Sequence, residues 1–583
     1  MLLRAALLYL LGGDFVFAGN ADDWKPRSVY QILTDRFART DGSTTAPCNA
    51  EDGITCGGTW KGITDHLDYI QGMGFDAIMI SPITKNVNGT VRYGDAYHGY
   101  WPQNLYELNH NFGTRRDLLD LSKAVHDRGM YLMVDVVINN MAYITNGSNP
   151  AKDVDYSTFV PFNDQKYFHP YCKITNYDDY EMAQKCWTGD KLVPLPDLNT
   201  EDAKVTQMMA AWVRGLISNY SVDGLRIDAA KHVDTDYLRN VVKASGVFAI
   251  GEVYEKNPKI ICEYQNYLPS LLNYPVYYAM IEAFSKGNMS VLVEAVEKVT
   301  VVCKDTFVLA AFSENHDLPR FPSFKKELSL AKNVIAFTIL SDGIPMYYQG
   351  QEQHFSGDGV PENREALWLS KYNTRSPLYN FTASVNQIRR QAIRVDRDYL
   401  EHPLYPLSNE NGISAFRKGH DGRHIIVVYS RHGEDGASRS IKIPRCGHQH
   451  LEFTEITTCR NHTLDDWGAL RVTVYNGLPK IFFPANQMGG SGLCGFGDWP
   501  ISGSKKKGEG KSNIDKTHWT NEIPVNPKWG RRPGREGSRP VHRAKAKNSK
   551  KKKRPKISGS GKTWSGWPMP VLVSSLVTLH FEL

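Results

Sequence analysis

No Cys-x-x-Cys pair occurs among the nine cysteines, which removes the thiolate spacing of a zinc module. The apolar stretch at the C-terminus, Val571 to Leu583, falls short of the roughly 20 residues that a membrane-spanning helix needs. Acidic residues are scarce in one region. Between Lys505 and Lys562 there are 4 of them against 20 Lys and Arg, which leaves 58 acidic and 49 basic residues in the rest of the chain. The formal charge of +7 therefore belongs to a tail, and the body of the protein is acidic. That weakens any nucleic-acid reading of the net charge. The composition is not extreme: 41% hydrophobic and 22% charged residues are ordinary for a globular protein, and 583 residues predict more than one domain.

What is present begins with an export signature. Met1 to Arg4 carries one positive side chain, Ala5 to Leu11 is apolar, and Val16-Phe17-Ala18 offers a cleavage site before Gly19. Residues 1–18 therefore read as a signal peptide, and the protein is expected outside the cell. Export permits disulfides. Bridges are expected at Cys48–Cys56, Cys172–Cys186, Cys262–Cys303 and Cys459–Cys494, with Cys446 left over. Six Asn-x-Ser/Thr acceptors, at Asn88, Asn146, Asn219, Asn288, Asn380 and Asn461, fit N-glycosylation. Residues 502–583 read as a disordered basic tail. Small residues Ser558-Gly559-Ser560 ahead of the terminal apolar stretch resemble a GPI-attachment signal, although Trp564, Trp567, His580 and Glu582 depart from that pattern. A tail held by acidic wall or membrane surfaces suits this composition better than one bound to nucleic acid. A monomer is expected.

From Ser28 onward, β-type runs alternate with helical stretches. Candidate strands are Ser28–Thr34, Ala77–Ile80, Tyr131–Val137, Gly224–Asp228, Phe248–Glu252, Leu272–Tyr277, Phe307–Ala311 and Ile344–Tyr348. Helix-like stretches such as Leu118–Arg128 and Lys204–Ser218 lie between them. Eight strands alternating with helices predict an α/β fold, a (β/α)8 barrel built from residues 19–139 and 198–400. Residues 140–197 are too long for a simple loop and read as an irregular insertion after the third strand. Residues 401–495 change to short β-runs, at Ser414–Arg417, His424–Ser430, Ser440–Ile443, Leu470–Val474 and Lys480–Phe483, and predict an all-β C-terminal domain.

Three segments carry the chemistry: Gly224-Leu225-Arg226-Ile227-Asp228, Gly251-Glu252-Val253 and Glu314-Asn315-His316-Asp317. Each reads as a strand end running into a loop, which is where barrel chemistry sits. Two carboxylates with different roles, and a third that shapes the site, are what a retaining cleavage of a glycosidic bond needs. Arg226 lies two residues before Asp228, so both side chains face the same way on a strand, and a guanidinium there favours the charged carboxylate.

With Asp135-Val136-Val137-Ile138-Asn139 and Leu195-Pro196-Asp197-Leu198, these motifs are similar to those of the α-amylase family of glycoside hydrolases, and closely so to its fungal secreted members. The resemblance runs from about Trp24 to Cys494. It implies Asp228 as nucleophile, Glu252 as general acid/base and Asp317 as stabiliser of the distorted sugar. It also implies a sugar cleft lined from Tyr93-Gly94-Asp95-Ala96-Tyr97-His98-Gly99-Tyr100-Trp101, with Tyr93, His98, Tyr100 and Trp101 as candidates, and further contacts from Arg226, Lys231, His316 and Arg364. Asn139, Asp197, the backbone carbonyl of His232 and a carbonyl near Gln184 match the family's Ca2+ site, and hard oxygen ligands suit that ion.

Two positions depart from the family. Asn140 stands where the family places a His that contacts the sugar, and Val360 stands where secreted members tend to have Asp. These departures resemble a fungal, cell-wall-associated subgroup that transfers α-1,4-glucan segments to sugar acceptors. The expected activity is therefore on α-1,4-glucans or malto-oligosaccharides, by hydrolysis, 4-α-glucanotransferase transfer, or both. A catalytically silent α-glucan-binding protein is the alternative, and Asn140 is its only support.

Overall fold

The computed structural model describes residues 20–497. The signal segment and the basic tail with its anchor-like end lie outside the described residues. Eight short strands form one parallel sheet: β1 Val29–Ile32, β2 Ala77–Ile80, β3 Tyr131–Val137, β4 Gly224–Asp228, β5 Phe248–Gly251, β6 Ser270–Leu271, β7 Ala310–Ala311 and β8 Ile344–Tyr348. Their order is β6-β5-β4-β3-β2-β1-β8-β7. A parallel bridge between Leu272 and Ala310 joins the two ends and closes the barrel. Nearly every strand residue is buried, because a closed parallel sheet covers one face with helices and fills the other with its own side chains.

Helices follow the strands in the expected alternation: α1 Trp60–Asp65, α2 Leu67–Gly72, α3 Arg115–Asp127, α4 Ala203–Tyr220, α5 Thr235–Ser245, α6 Tyr274–Lys286, α7 Met289–Val302, α8 Leu328–Leu340 and α9 Pro377–Val395. Their starts are written in the sequence. Thr114 and Asp117 form a reciprocal capping box at α3, and the Asp202 carboxylate caps α4.

The sixth strand corrects the sequence reading. Leu272–Tyr277 was expected to be extended, but the strand ends at Leu271 and the tyrosine-rich run opens α6. Asn273 accepts a hydrogen bond from Val276 N (3.3 Å), and Pro275 sits in the first turn. Burial then recurs at Tyr274, Tyr277, Met280, Ala283 and Phe284, a helical spacing. The cap and the proline outweigh the β preference of the aromatic residues.

The C-terminal region is antiparallel: β9 Tyr405–Glu410, β10 Ile413–Lys418, β11 Ile425–Ser430, β12 Arg439–Ile443, β13 Glu452–Glu455, β14 Arg460–Thr463, β15 Leu470–Val474 and β16 Lys480–Pro484. Six strands run β9-β10-β11-β16-β13-β14, and β12 pairs with β15. Strands β9, β13 and β14 escaped the sequence reading. The two edge strands are polar and largely exposed, so they lack the alternation that marks a half-buried strand. This sheet docks on the barrel through α8, which is buried along its length. Phe337 meets Tyr429 at 5.4 Å, and both polar groups of the Asn333 amide bond across the junction, to Gly477 O (2.8 Å) and Ser430 N (2.8 Å).

Between β3 and α4 the chain forms short helices and a two-stranded ladder, Thr188–Gly189 with Pro194–Leu195. All four expected disulfides are present. Cys446 is a buried free thiol, and burial pushes its pKa up to about 12, which makes it unreactive. The six acceptor asparagines are all exposed.

Candidate active site

Asp228 is the last residue of β4, Glu252 directly follows β5, and Asp317 lies in the loop after β7. All three are buried at the C-terminal mouth of the barrel. One guanidinium gathers the first two. Arg226 Nη1 lies 2.7 Å from Asp228 Oδ1, and Nη2 lies 2.7 Å from Glu252 Oε2. The same Nη1 reaches Asp135 Oδ2 at 3.0 Å. Asp135 has no role assigned from sequence. Its signal was an acid inside the otherwise apolar run of β3, which is costly unless partnered.

The cluster therefore sets three carboxylates against one cation. Burial and the neighbouring acids push Asp228 well above the usual carboxylate range, with Arg226 pulling the other way. Burial is also the main cause for Asp135, which rises to about 6. The expectation that Arg226 favours the charged Asp228 holds in direction, but desolvation and like charge outweigh it. A site with this surplus of negative charge binds a proton more readily than separate acids do. Around Glu252, Oε2 accepts from Arg226 and from Ala229 N (3.1 Å), while Oε1 faces the Tyr274 hydroxyl at 3.4 Å.

Asp317 is held from the opposite wall. Arg364 Nη2 lies 3.1 Å from its Oδ1, and His316 Nε2 lies 3.0 Å from its Oδ2. Gln31, on β1, places its amide nitrogen 2.9 Å from His316 Nδ1. With the amide donating, His316 carries its proton on Nε2, the nitrogen that faces Asp317. Burial and the nearby Arg364 hold the His316 pKa well below its ordinary value, so the ring is neutral. Arg364 also bonds the His316 carbonyl (2.8 Å) and the Tyr97 hydroxyl (3.1 Å).

A row of rings ties the two walls together. Tyr100 stacks on His316 with centroids 5.1 Å apart and planes 3° from parallel. His98 stacks on the other side of the row at 5.7 Å from Tyr100. The Tyr100 hydroxyl donates to Asp135 Oδ2 at 2.7 Å, which links this row to the Arg226 cluster. Trp101 meets His98 edge-on at 4.8 Å. Tyr93 stands apart: its hydroxyl donates to Asp190 Oδ1 (2.9 Å), so it ties the cleft loop to the insertion. Lys231 Nζ lies 3.6 Å from Glu255 Oε2 and 5.0 Å from the Tyr180 ring centroid. Asn140 is buried, and its amide donates to Met141 O (3.2 Å). Glu314, in the same motif as Asp317, is a framework acid. It pairs with the buried Arg320 at 3.2 Å and accepts from Phe321 N.

The candidate cation site passes a test of fit. Both polar atoms of the buried Asn139 amide and Oδ1 of Asp197 have no hydrogen-bond partner of good geometry. Such orphaned oxygens are what a hard cation satisfies. Leu198 N donates to Asn139 O (2.9 Å), which sets the two residues side by side. Gln184 Nε2 bonds Val233 O (3.0 Å), and His232 Nδ1 lies 2.8 Å from Ala183 O, so these two segments also meet. Burial pushes Asp197 up to about 7 although His169 Nδ1 lies 2.7 Å from its other oxygen. A second grouping, Asp396, Asp398 and His420, brings ligand atoms within 4.8 Å. It is explained by its own contacts: His420 Nδ1 meets Asp396 Oδ2 at 3.0 Å, and Asp396 caps Asp398 N.

Residues 31–398 match the family model described as "Alpha amylase, catalytic domain", and residues 406–499 match "Alpha-amylase, domain C". The chain is 47% identical over 480 residues to Alpha-amylase 1 of Schwanniomyces occidentalis, covering 82% of this chain and 93% of that protein. It is 46% identical over 478 residues to the alpha-amylase of Saccharomycopsis fibuligera, covering 82% and 94%. A solved alpha-amylase from Malbranchea cinnamomea superposes with a TM-score of 0.79 at 46% identity, covering 82% of this chain and 100% of that one. The chain belongs to the α-amylase family and stands close to its fungal members.

Proposed function

We propose that this protein cleaves α-1,4-glucans by a retaining route and passes part of the product to sugar acceptors. The carrying observation is the single guanidinium that holds Asp228 and Glu252 to one side of the pocket, with Asp317 fixed on the other. Retaining enzymes place their two carboxyls about 5–5.5 Å apart, and a shared cation suits that spacing.

Each acid has a definite task. Glu252 Oε2 is occupied by two donors, so its proton belongs on Oε1, which delivers it to the oxygen of the leaving sugar. Asp228 Oδ1 is held by Arg226, so Oδ2 attacks the anomeric carbon and forms the glycosyl-enzyme. Glu252, now ionised, takes a proton from the incoming hydroxyl, whose oxygen bonds the anomeric carbon as the bond to Asp228 breaks and its carboxylate is released. Water gives hydrolysis; a sugar hydroxyl gives transfer. Asp317, held at Oδ1 by Arg364 and with His316 beside Oδ2, binds hydroxyls of the distorted sugar. His98 and Tyr100 lie beside it, and Arg364 keeps it in place.

Asn139, Asp197, the carbonyl of His232 and a carbonyl near Gln184 would hold Ca2+. The ion supplies charge to a buried oxygen cage and pins the insertion to the barrel beside the cleft. Asn140 and Val360 support transfer: an amide cannot become cationic at the cleavage point, and loss of an acid changes the non-reducing side. The export signature, the paired cysteines and the sequons support a glycoprotein secreted as a monomer. The anchor-like end and basic tail support retention at the membrane or wall, where the enzyme would make or trim α-glucan.

A time course of products from maltoheptaose tests this reading. Chains longer than seven units at early times are expected. Exclusively shorter products throughout would remove transfer, and no products at all would remove the enzymatic reading.

A further inference from the structure

Strand β1 carries no acid of the site, yet Gln31 brings it into contact with the catalytic pocket. Gln31 is buried, and its backbone is fixed on both sides. It pairs with Met79 of β2 and Tyr348 of β8, and its carbonyl accepts from Gln349 N (3.0 Å). A side chain on so rigid a base holds its partner in a narrow range of positions. That partner is His316, whose Nδ1 lies 2.9 Å from the Gln31 amide nitrogen.

The His316 ring is also held from three other directions. Arg364 Nε donates to the His316 carbonyl (2.8 Å), Tyr100 stacks on the ring, and Nε2 lies 3.0 Å from Asp317 Oδ2. These contacts leave one consistent place for the ring proton. A proton on Nδ1 alone would aim the Nε2 lone pair at a carboxylate oxygen. Protons on both nitrogens would add a buried positive charge where Arg364 and Arg226 already stand. Glu252 favours that charge, but burial and the two arginines outweigh it. A proton on Nε2 alone needs a donor facing Nδ1, and the Gln31 amide is that donor.

His98 repeats the arrangement with a main-chain group. Tyr100 N donates to His98 Nδ1 (3.0 Å), and burial holds the His98 pKa well below its ordinary value. Both imidazoles of the ring row are therefore neutral, with the proton on Nε2. The His98 lock is backbone, which no substitution at that position removes. The His316 lock is a side chain.

We propose that Gln31 is a positioning residue: it fixes His316 as the neutral Nε2–H tautomer, so that a donor without net charge stands beside Asp317 where the distorted sugar binds. The charge state matters because the transition state resembles an oxocarbenium ion. An imidazolium would repel that developing positive charge, whereas a neutral N–H can hold a sugar hydroxyl without opposing it. The proposal rests on the retaining reading of the three acids, but one arm of its test needs no turnover.

That arm is 15N NMR of the full chain labelled at histidine, with the His316 signals identified by their loss in His316→Asn. The expected ring has Nδ1 unprotonated and Nε2 protonated throughout about pH 5 to 8. A proton on Nδ1, or a ring that titrates in this range, overturns the proposal. The second arm is a double-mutant cycle on maltoheptaose with Gln31→Met, which keeps the length of the side chain and removes the donor. In the parent, kcat should fall about tenfold, the size of one hydrogen bond, with KM within about twofold. In the His316→Asn background, the same change should cost less than about twofold, because the ring it positions is gone. An equal loss in both backgrounds overturns the proposal, since Gln31 would then act through the fold, and so does an unchanged kcat in the parent. If Gln31→Met fails to fold in a thermal melt, the NMR arm decides. A parent that does not turn over maltoheptaose would instead sink the catalytic reading.

Discussion

Arg226 is 2% exposed and contacts three carboxylates, so its replacement by lysine is the most revealing single change. Arg226→Lys keeps the positive charge but loses the planar fork. An ammonium is a compact point charge that cannot hold Asp228 and Glu252 from two separate nitrogens. At least one charge-assisted bond is lost, worth about 1.5–3 kcal/mol. At about 1.4 kcal/mol per decade, that predicts a fall in kcat/KM of roughly 10- to 150-fold. The pH profile adds a second readout. Arg226 lowers the Asp228 pKa against burial, so a weaker contact lets that pKa rise. The acid limb of kcat/KM should then move to higher pH. Both parameters are measured on maltoheptaose across pH, with a thermal melt to confirm folding. A folded Arg226→Lys enzyme with kcat/KM within about twofold of the parent and an unmoved acid limb would refute the reasoning.

Chelation should destabilise the protein in a pH-dependent way. Burial raises Asp197 from its ordinary value to about 7, so without a cation its contribution is present at low pH and is lost as pH rises through about 7. Ca2+ reverses that loss, so the gap in Tm between calcium-loaded and EDTA-treated protein should be larger near neutral pH than near pH 5; an equal gap at both would count against Asp197 as a ligand. Asn140→His should raise the ratio of hydrolysis to transfer in the maltoheptaose time course, and an unchanged ratio would remove Asn140 from the account. Arg320→Met leaves Glu314 buried without its cation and should cost about 3–5 kcal/mol in a urea melt. A change under about 1 kcal/mol would show that Phe321 N and solvent suffice for Glu314.

The barrel was legible because its strands are short, apolar runs separated by helical periods, as at Ala77–Ile80 and Ile344–Tyr348. Length and periodicity failed at β6 and β7, which are two residues each. There the register is set by neighbouring strands, and no local pattern can announce it. The polar edge strands β9 and β14 were missed for a related reason: they carry little apolar signal. In the site, the parity of Arg226 and Asp228 was readable from a two-residue spacing. The reach of the same guanidinium to Glu252 and Asp135 was not, since it depends on three strands lying side by side. Asp135 was visible as the head of the Asp135–Asn139 motif and as an acid where an apolar residue belonged, without a role attached to it. The stacking of Tyr100 on His316 joins loops more than two hundred residues apart in sequence, a contact that no local motif encodes.

The account depends most on Asp228 forming a covalent bond to sugar. Glu252→Gln protein incubated with an activated α-glucosyl fluoride, then digested and analysed by mass spectrometry, tests this directly. A hexose adduct on the peptide containing Asp228 is the predicted result. An adduct on a different acid, or turnover of the fluoride with inversion and no adduct, would contradict it.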